Sequence, residues 1–409
     1  MLEILGNIEL WKYISIPFVA GFVGWITNLV AIKLLFYPVE PFGKPPFLGW
    51  QGILPSKAAK MGAITADTTL SKLGTLRDVF NSMEPDKIAE HLVKNIEHRV
   101  EDYIDWIMLE ENPEVWEVLP SMIKRMIYSM VRQNMPEIIH NMMKDIGDNV
   151  EKTVDLKYTI IKTLKNNKRI VNKIFLECGA TEFKFIVRSG IYFGFLFGII
   201  QMAVWLFFPA WWILPLFGII VGFATNWIAL RIIFQPLNPK KIGPFVIQGL
   251  FLKRQNEVAE VWCEIVSKEI ITIYNIVDDM LNGPLSEYTH LIIRKHMRDV
   301  VDRAVGITKP LVQFTIGVKE YVNIKKAASE KAIFFTASAF DDPDFVSDRA
   351  RVVKDMMVER MVKLSSEEFQ YLLRPAFQED EMKLIIMGAV LGLAAGMGQL
   401  FFVFGGIGA

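Results

Sequence analysis

The residues best placed to do chemistry here are polar ones set in apolar surroundings. Thr27 and Asn28 lie inside Gly24-Trp25-Ile26-Thr27-Asn28-Leu29-Val30-Ala31-Ile32-Lys33, which runs on to Phe36 and Pro38. Thr225 and Asn226 lie inside Gly222-Phe223-Ala224-Thr225-Asn226-Trp227-Ile228-Ala229-Leu230-Arg231, which runs on to Phe234 and Pro236. An amide in hydrocarbon needs a hydrogen-bond partner, since an unmet one costs several kcal/mol. It can fix packing against another helix, with the other asparagine as one candidate partner, or line a polar path for a solute or lipid headgroup. On a helix, Pro17, Gly21, Gly24, Thr27, Asn28 and Ala31 share a stripe roughly 100° wide. A stripe of small and polar residues favours packing.

Lys33 and Arg231 face away from those stripes, near the ends of the apolar runs. Long basic side chains there can lay their stems along lipid and place their charge among phosphates. Contact with lipid headgroups is therefore the favoured role, ahead of an ion pair within the protein or a part in transport. A second pattern is Gly190, Gly194, Gly198 and Gln201, which recurs as Gly388, Gly392, Gly396 and Gln399. Small residues four apart let helix backbones approach closely. The glutamines join Thr27, Asn28, Thr225 and Asn226 as intramembrane polar groups for packing or a pathway. Met122, Met126 and Met130 share a helical face that suits a core, or a groove for lipid or a partner.

Enzymatic constellations are missing from the sequence. The five histidines, His91, His98, His140, His290 and His296, show no metal-ligand spacing. No phosphate-cradling glycine loop or nucleophile elbow occurs. Asp341-Asp342-Pro343-Asp344 reads as an acidic turn, and Glu379-Asp380-Glu381 as a solvated collar. The expectation is a non-enzymatic protein without catalytic residues, metal or cofactor.

The elements that must position these residues follow from hydropathy. Of the 409 residues 52% are hydrophobic and 22% charged, which suits a chain part membrane-embedded and part water-exposed. Lys plus Arg equals Asp plus Glu at 45 each, so the basic footprint of a nucleic-acid partner is missing. Cys178 and Cys263 have neither zinc nor redox spacing, which fits a reducing compartment. A hydrocarbon core needs about 20 mostly apolar residues per helix. Four runs qualify: 14–36, 190–208, 211–234 and 384–407. Glu3 and Glu9 stand where a signal peptide would be basic, so the first run is expected to be a retained span. Only Pro209-Ala210 separates the second and third runs, which must form a tight hairpin. Lys33, Lys44, Lys184, Arg188, Arg231, Lys240, Lys241 and Lys383 flank the spans on the side of the two long charged regions, against Lys12 on the other side. The positive-inside rule then places those regions in the cytoplasm and both termini outside.

An internal repeat orders the whole chain. Asn28 and Asn226 are 198 residues apart, as are Pro17 and Pro215, Pro41 and Pro239, and each member of the two glycine stripes. After a one-residue slip, Gln51-Gly52 and Lys57 match Gln248-Gly249 and Arg254. The expected architecture is mainly α, a four-span integral membrane protein built as a tandem parallel repeat. Repeat 1 is 1–209 (span 14–36, cytoplasmic helical domain 37–189, span 190–208). Repeat 2 is 210–409 (span 211–234, domain 235–383, span 384–407). Short β or loop elements are expected in the Pro- and Gly-rich stretches 38–55 and 236–252 at the membrane interface. Ile88, Leu92, Ile96 and Val100 recur every four residues as on a helix, and further helices are expected over 57–82, 113–134, 136–150, 156–177, 256–281, 285–305 and 348–364, with Pro120 and Pro136 starting or kinking them.

The pattern Gly-x-x-Thr-Asn-x-x-Ala-x-Lys/Arg-x-x-Phe-x-Pro, followed by Gln51-Gly52-Ile53-Leu54-Pro55-Ser56-Lys57, resembles the bacterial membrane proteins of the domain-of-unknown-function 445 family. Gln248-Gly249-Leu250-Phe251-Leu252-Lys253-Arg254 is similar, with Leu252 where the first copy has Pro55. The resemblance covers nearly the whole chain and implies a bacterial inner-membrane, multi-pass protein. It brings no activity or catalytic residues. The expected function is lipid binding or envelope assembly through the cytoplasmic domains, with membrane lipids as partners and self-association plausible. The alternative is a transporter or channel for a small solute or lipid, with a pathway between the repeats.

Overall fold

Apolar length alone makes four of the helices, and the computed structural model of the protein forms them close to the expected places. It describes residues 8–44, 48–68, 72–306, 309–338, 340, 342–378 and 381–405. Among the described residues the protein is mainly helical, with four helices long and apolar enough to cross a membrane: Trp11–Phe36, Ala180–Phe207, Ile213–Phe234 and Glu381–Val403. The second begins ten residues before the apolar run that predicts it. Its first turns carry Glu182, Lys184 and Arg188, which hydropathy excludes from a span but which helix geometry tolerates. Pro46-Phe47, Asp341, Glu379-Asp380 and residues 406–407 lie outside the described residues.

Two antiparallel hairpins follow the first and third spans. Phe42–Lys44 pairs with Leu48–Trp50, and Lys240–Ile242 with Phe245–Ile247. They are the only strands among the described residues.

Several of the remaining helices depart from the expected bounds, for local reasons. The helix expected over 57–82 divides into Ala58–Thr68 and Leu76–Ser82. Gly74 takes φ +136°, open to glycine and strained for other residues. Thr75 then caps the second helix: its Oγ1 accepts from Asp78 N at 3.2 Å, and Asp78 accepts from Thr75 N at 3.0 Å. Pro120 ends one helix and starts the next, as expected, because it holds Leu119 extended. Pro136 instead lies inside one continuous helix, Ser121–Asp148. Four helices lie in stretches where none is expected: Val100–Glu111, Lys309–Ile316, Val318–Ser338 and Ser366–Gln378.

The chain forms two compact units, each drawing on both halves of the sequence. The first, residues 1–68, 164–262 and 361–409, holds the spans. Span one packs along span two and span three along span four. At one end Ile16, Trp205, Ile213, Leu214, Leu400 and Phe404 form a buried apolar cluster. The second unit, residues 69–163 and 263–360, is a helical bundle centred on Ser121–Asp148 and Ser286–Val305. Arg303 meets Glu137 at 3.0 Å and Lys295 meets Asp145 at 2.8 Å across that central pair.

Candidate functional site

Each span asparagine is held by the backbone of the helix packed against it. Asn28 Nδ2 donates to the carbonyl of Ile186 at 2.7 Å, and Asn226 Nδ2 donates to that of Leu384 at 2.9 Å. The amide's partner is a backbone carbonyl and not the other asparagine. A helical carbonyl has a second lone pair, so it can accept this bond besides its own ladder bond. Gly190 stands one turn after Ile186, and a Cβ there would come within 2.9 Å of Asn28 Nδ2. Gly388 stands one turn after Leu384, and a Cβ there would strike Asn226 Nδ2. The glycines are therefore what lets each amide reach across. Asn28 is 0% exposed, and its Oδ1 has no hydrogen bond among the described residues.

The same glycines bring backbone onto backbone. A Cβ at Gly24 would fall on the carbonyl oxygen of Gly190, and one at Gly222 on that of Gly388. A Cβ at Gly194 would lie 2.5 Å from Ala20 O, one at Gly198 2.6 Å from Pro17 Cα, and one at Gly396 2.6 Å from Leu214 O. Gly218 joins this contact through Gly392, a residue the sequence patterns do not single out. The threonines turn inward on their own helices: Thr27 Oγ1 donates to Gly24 O at 3.1 Å and Thr225 Oγ1 to Val221 O at 2.8 Å. Gln201 and Gln399 are buried, and Gln399 Nε2 has no hydrogen bond among the described residues.

Lys33 and Arg231 occupy the last turns of spans one and three, both exposed. Arg231 lies 4.8 Å above the Trp227 ring and donates to Gln235 Oε1 at 2.9 Å. Neither cation makes an ion pair with a described acidic residue.

The loops after these spans are tied down by backbone contacts. Gln51 Nε2 donates to Val39 O at 2.7 Å, and Gln248 Nε2 to Leu237 O at 3.2 Å. Gly52 N donates to Pro38 O at 2.9 Å, and Gly249 N to Pro236 O at 3.0 Å. Lys57 follows the short helix Ile53–Ser56 as Arg254 follows Leu250–Lys253. Arg254 Nη1 reaches both oxygens of Glu182 at 2.9 Å, and its Nη2 reaches Glu257 at 2.6 Å. The hydrogen bond to Glu257 and then, against the cost of burial, that to Glu182 raise the guanidinium above its already high value.

Glu182 and Asn172 belong to this site and escape sequence reasoning. Glu182 is almost fully buried in the first turn of span two. A lone acid at the head of an apolar helix is the one signal it leaves. Asn172 Nδ2 donates to the carbonyl of Phe36, at the end of span one, at 2.7 Å. Nothing in the surrounding amphipathic pattern marks it.

Both cysteines are buried, and burial pushes the Cys178 thiol up to about 12. The thiolate is the reactive form. Alkylation with N-ethylmaleimide at mildly alkaline pH should leave both cysteines unmodified in native protein and modify both after unfolding. Intact-mass measurement reads the difference, and native-state modification of Cys178 would contradict its burial.

No family model matches the chain, and no solved structure matches it. It is similar to a UPF0754 membrane protein of Trichodesmium erythraeum, 30% identical over 104 residues, which are 24% of this chain and 23% of that protein. A UPF0754 membrane protein of Nostoc sp. is 30% identical over 104 residues, 24% and 22% of the two chains. One from Synechococcus sp. is 24% identical over 139 residues, 32% of each. These matches span about a quarter to a third of the relatives' own lengths. Their names do not carry the domain-of-unknown-function 445 label. With its four apolar helices and these relatives, the chain is a membrane protein similar to an uncharacterised bacterial family.

Proposed function

We propose that the protein is a non-enzymatic scaffold of the bacterial inner membrane that holds lipid through the ends of its spans. Its two halves are a tandem parallel duplication, with the charged regions cytoplasmic and the termini outside. The duplication is supported by equivalent bonds 198 residues apart, Asn28 to Ile186 and Asn226 to Leu384. The lipid role is carried by one observation: Lys33 and Arg231 end their spans exposed, with no carboxylate partner among the described residues. A cation so placed is best satisfied by phosphate at headgroup depth. The hairpins, with Gln51 to Lys57 and Gln248 to Arg254 after them, follow directly on those basic span ends. A solute pathway along Asn28 and Asn226 is disfavoured, because their amide nitrogens donate to backbone carbonyls in a seam closed by glycine contacts.

Native mass spectrometry with lipid analysis of the extracted protein tests this reading. Anionic phospholipid should co-purify above its membrane abundance, and the double variant Lys33→Gln, Arg231→Gln should lose at least half of that excess. Equal lipid profiles for parent and variant would sink it.

A further inference from the structure

The helical unit formed by residues 69–163 and 263–360 contains a cavity of about 860 Å³. That volume lies within the roughly 300–1,000 Å³ of typical ligand sites. Its walls come mainly from the helices Pro85–Glu97, Val100–Glu111, Ser121–Asp148, Ser286–Val305 and Val318–Ser338, with Pro113–Val118 and Ile316 adding to them, and are almost wholly apolar. The polar side chains on its wall are engaged with protein. Tyr321 Oη donates to Asp302 at 2.7 Å, Thr336 Oγ1 to Ala332 O at 2.8 Å, and Trp116 Nε1 to Asp105 at 3.1 Å. Such a lining favours hydrocarbon over water, as apolar cavities of only about 150 Å³ already do. Methionines are frequent on it, among them Met126, Met130 and Met297, and their unbranched chains adapt to a flexible occupant. Ile123 and Met126 line the cavity and are also 40% and 48% exposed, so hydrocarbon can enter beside them.

Charge lies behind one wall residue, Tyr321. Asp302 binds Lys309 at 2.8 Å and Lys325 at 2.6 Å as well as Tyr321. Two ammonium groups on one carboxylate leave one positive charge in surplus. Both ammonium groups lie beside the Tyr321 ring, 6.0 and 5.0 Å from its centre.

From this geometry we infer that the cavity binds the acyl chain of a lipid whose anionic head rests against Lys309 and Lys325. The inference deepens the lipid-binding reading above and rests on it, but places a second, separate site in the helical unit. The shared chemistry is a long acyl chain on a carboxylate or phosphate head, supplied by a free fatty acid or by an anionic phospholipid.

The test uses the full chain in nanodiscs of zwitterionic phospholipid and a diazirine-bearing acyl chain in three forms: fatty acid, phosphatidic acid and fatty alcohol. After photolysis, peptide mass spectrometry locates the label. The charged forms should label the segments 123–142 and 293–304, with the stronger of the two identifying the source of the chain. Fatty alcohol should label them at least tenfold less. Ala328→Phe, or Ala332→Phe should the first variant not fold, fills the cavity and should reduce this labelling at least tenfold. Lys309→Gln with Lys325→Gln should bring the acid down to the level of the alcohol. Label confined to the four spans, alcohol labelling equal to acid, or filled variants that label like the parent would each overturn the inference. The variant Lys33→Gln, Arg231→Gln should keep the cavity label, so a failure of the span-end reading is told apart from a failure of this one.

Discussion

Gly388→Leu is expected to destabilise the paired spans by at least the upper end of the roughly 1–3 kcal/mol that overpacking usually costs. The reason is what the new atoms would meet. A Cβ at Gly388 strikes the Asn226 amide and lies 2.6 Å from the carbonyl oxygen of Gly222. A flexible side chain could swing away, but the Gly222 carbonyl belongs to the facing helix backbone and moves only with the whole helix. The substitution also separates Asn226 from Leu384 O, leaving a polar amide unmatched in an apolar seam. Gly398→Ala, on the same helix, is the control. No atom lies within 4 Å of a Cβ there, so it should be neutral or stabilising by up to about 1 kcal/mol through helix propensity. Thermal unfolding in detergent, followed by the monodisperse fraction on size-exclusion chromatography, reads both. If Gly388→Leu melted with the parent, the backbone-contact account of the seam would be wrong.

The second large effect concerns the buried carboxylate of Glu182. Arg254→Met is expected to cost about 3–5 kcal/mol, because Glu182 would stay buried without its partner. Glu182→Met should cost less, since Arg254 is partly exposed and keeps Glu257 at 2.6 Å. The double variant should recover much of the loss, because replacing a buried pair by apolar groups of similar size is often close to neutral. A double-mutant cycle on unfolding free energies measures the coupling. Additive single losses, or an Arg254→Met variant as stable as the parent, would show that the pair is incidental.

Much of the architecture is legible in the chain. The spans need only a long apolar run, and each of the four begins or ends within three residues of where hydropathy puts it. The glycine seam is legible because residues four apart must share a helix face, whatever lies opposite. The Pro- and Gly-rich stretches mark the hairpins. Boundaries set by a single backbone feature are harder. The break before Thr75 depends on Gly74 and one capping box, and neither disturbs the hydrophobic period. Pro136 shows the converse, a breaker that a long helix accommodates.

The candidate site is less legible, because its bonds join residues distant in sequence. An asparagine in a span requires a partner, but nothing local selects the carbonyl of Ile186 over another amide. Glu182 and Arg254 lie 72 residues apart, and each alone reads as an ordinary charge near a membrane. The acyl cavity is the extreme case. Its lining alternates with charges along amphipathic helices that each look like half of an ordinary core. Hydropathy and helical period are sums over neighbouring residues, so they survive without coordinates. They account for the four spans, the glycine faces and the basic ends at Lys33 and Arg231. Which faces meet, which carbonyl receives an amide and where helices fail to close on one another depend on long-range register. Only the folded chain supplies that register, and with it the seam that closes on backbone and the helical unit that opens around a space for hydrocarbon.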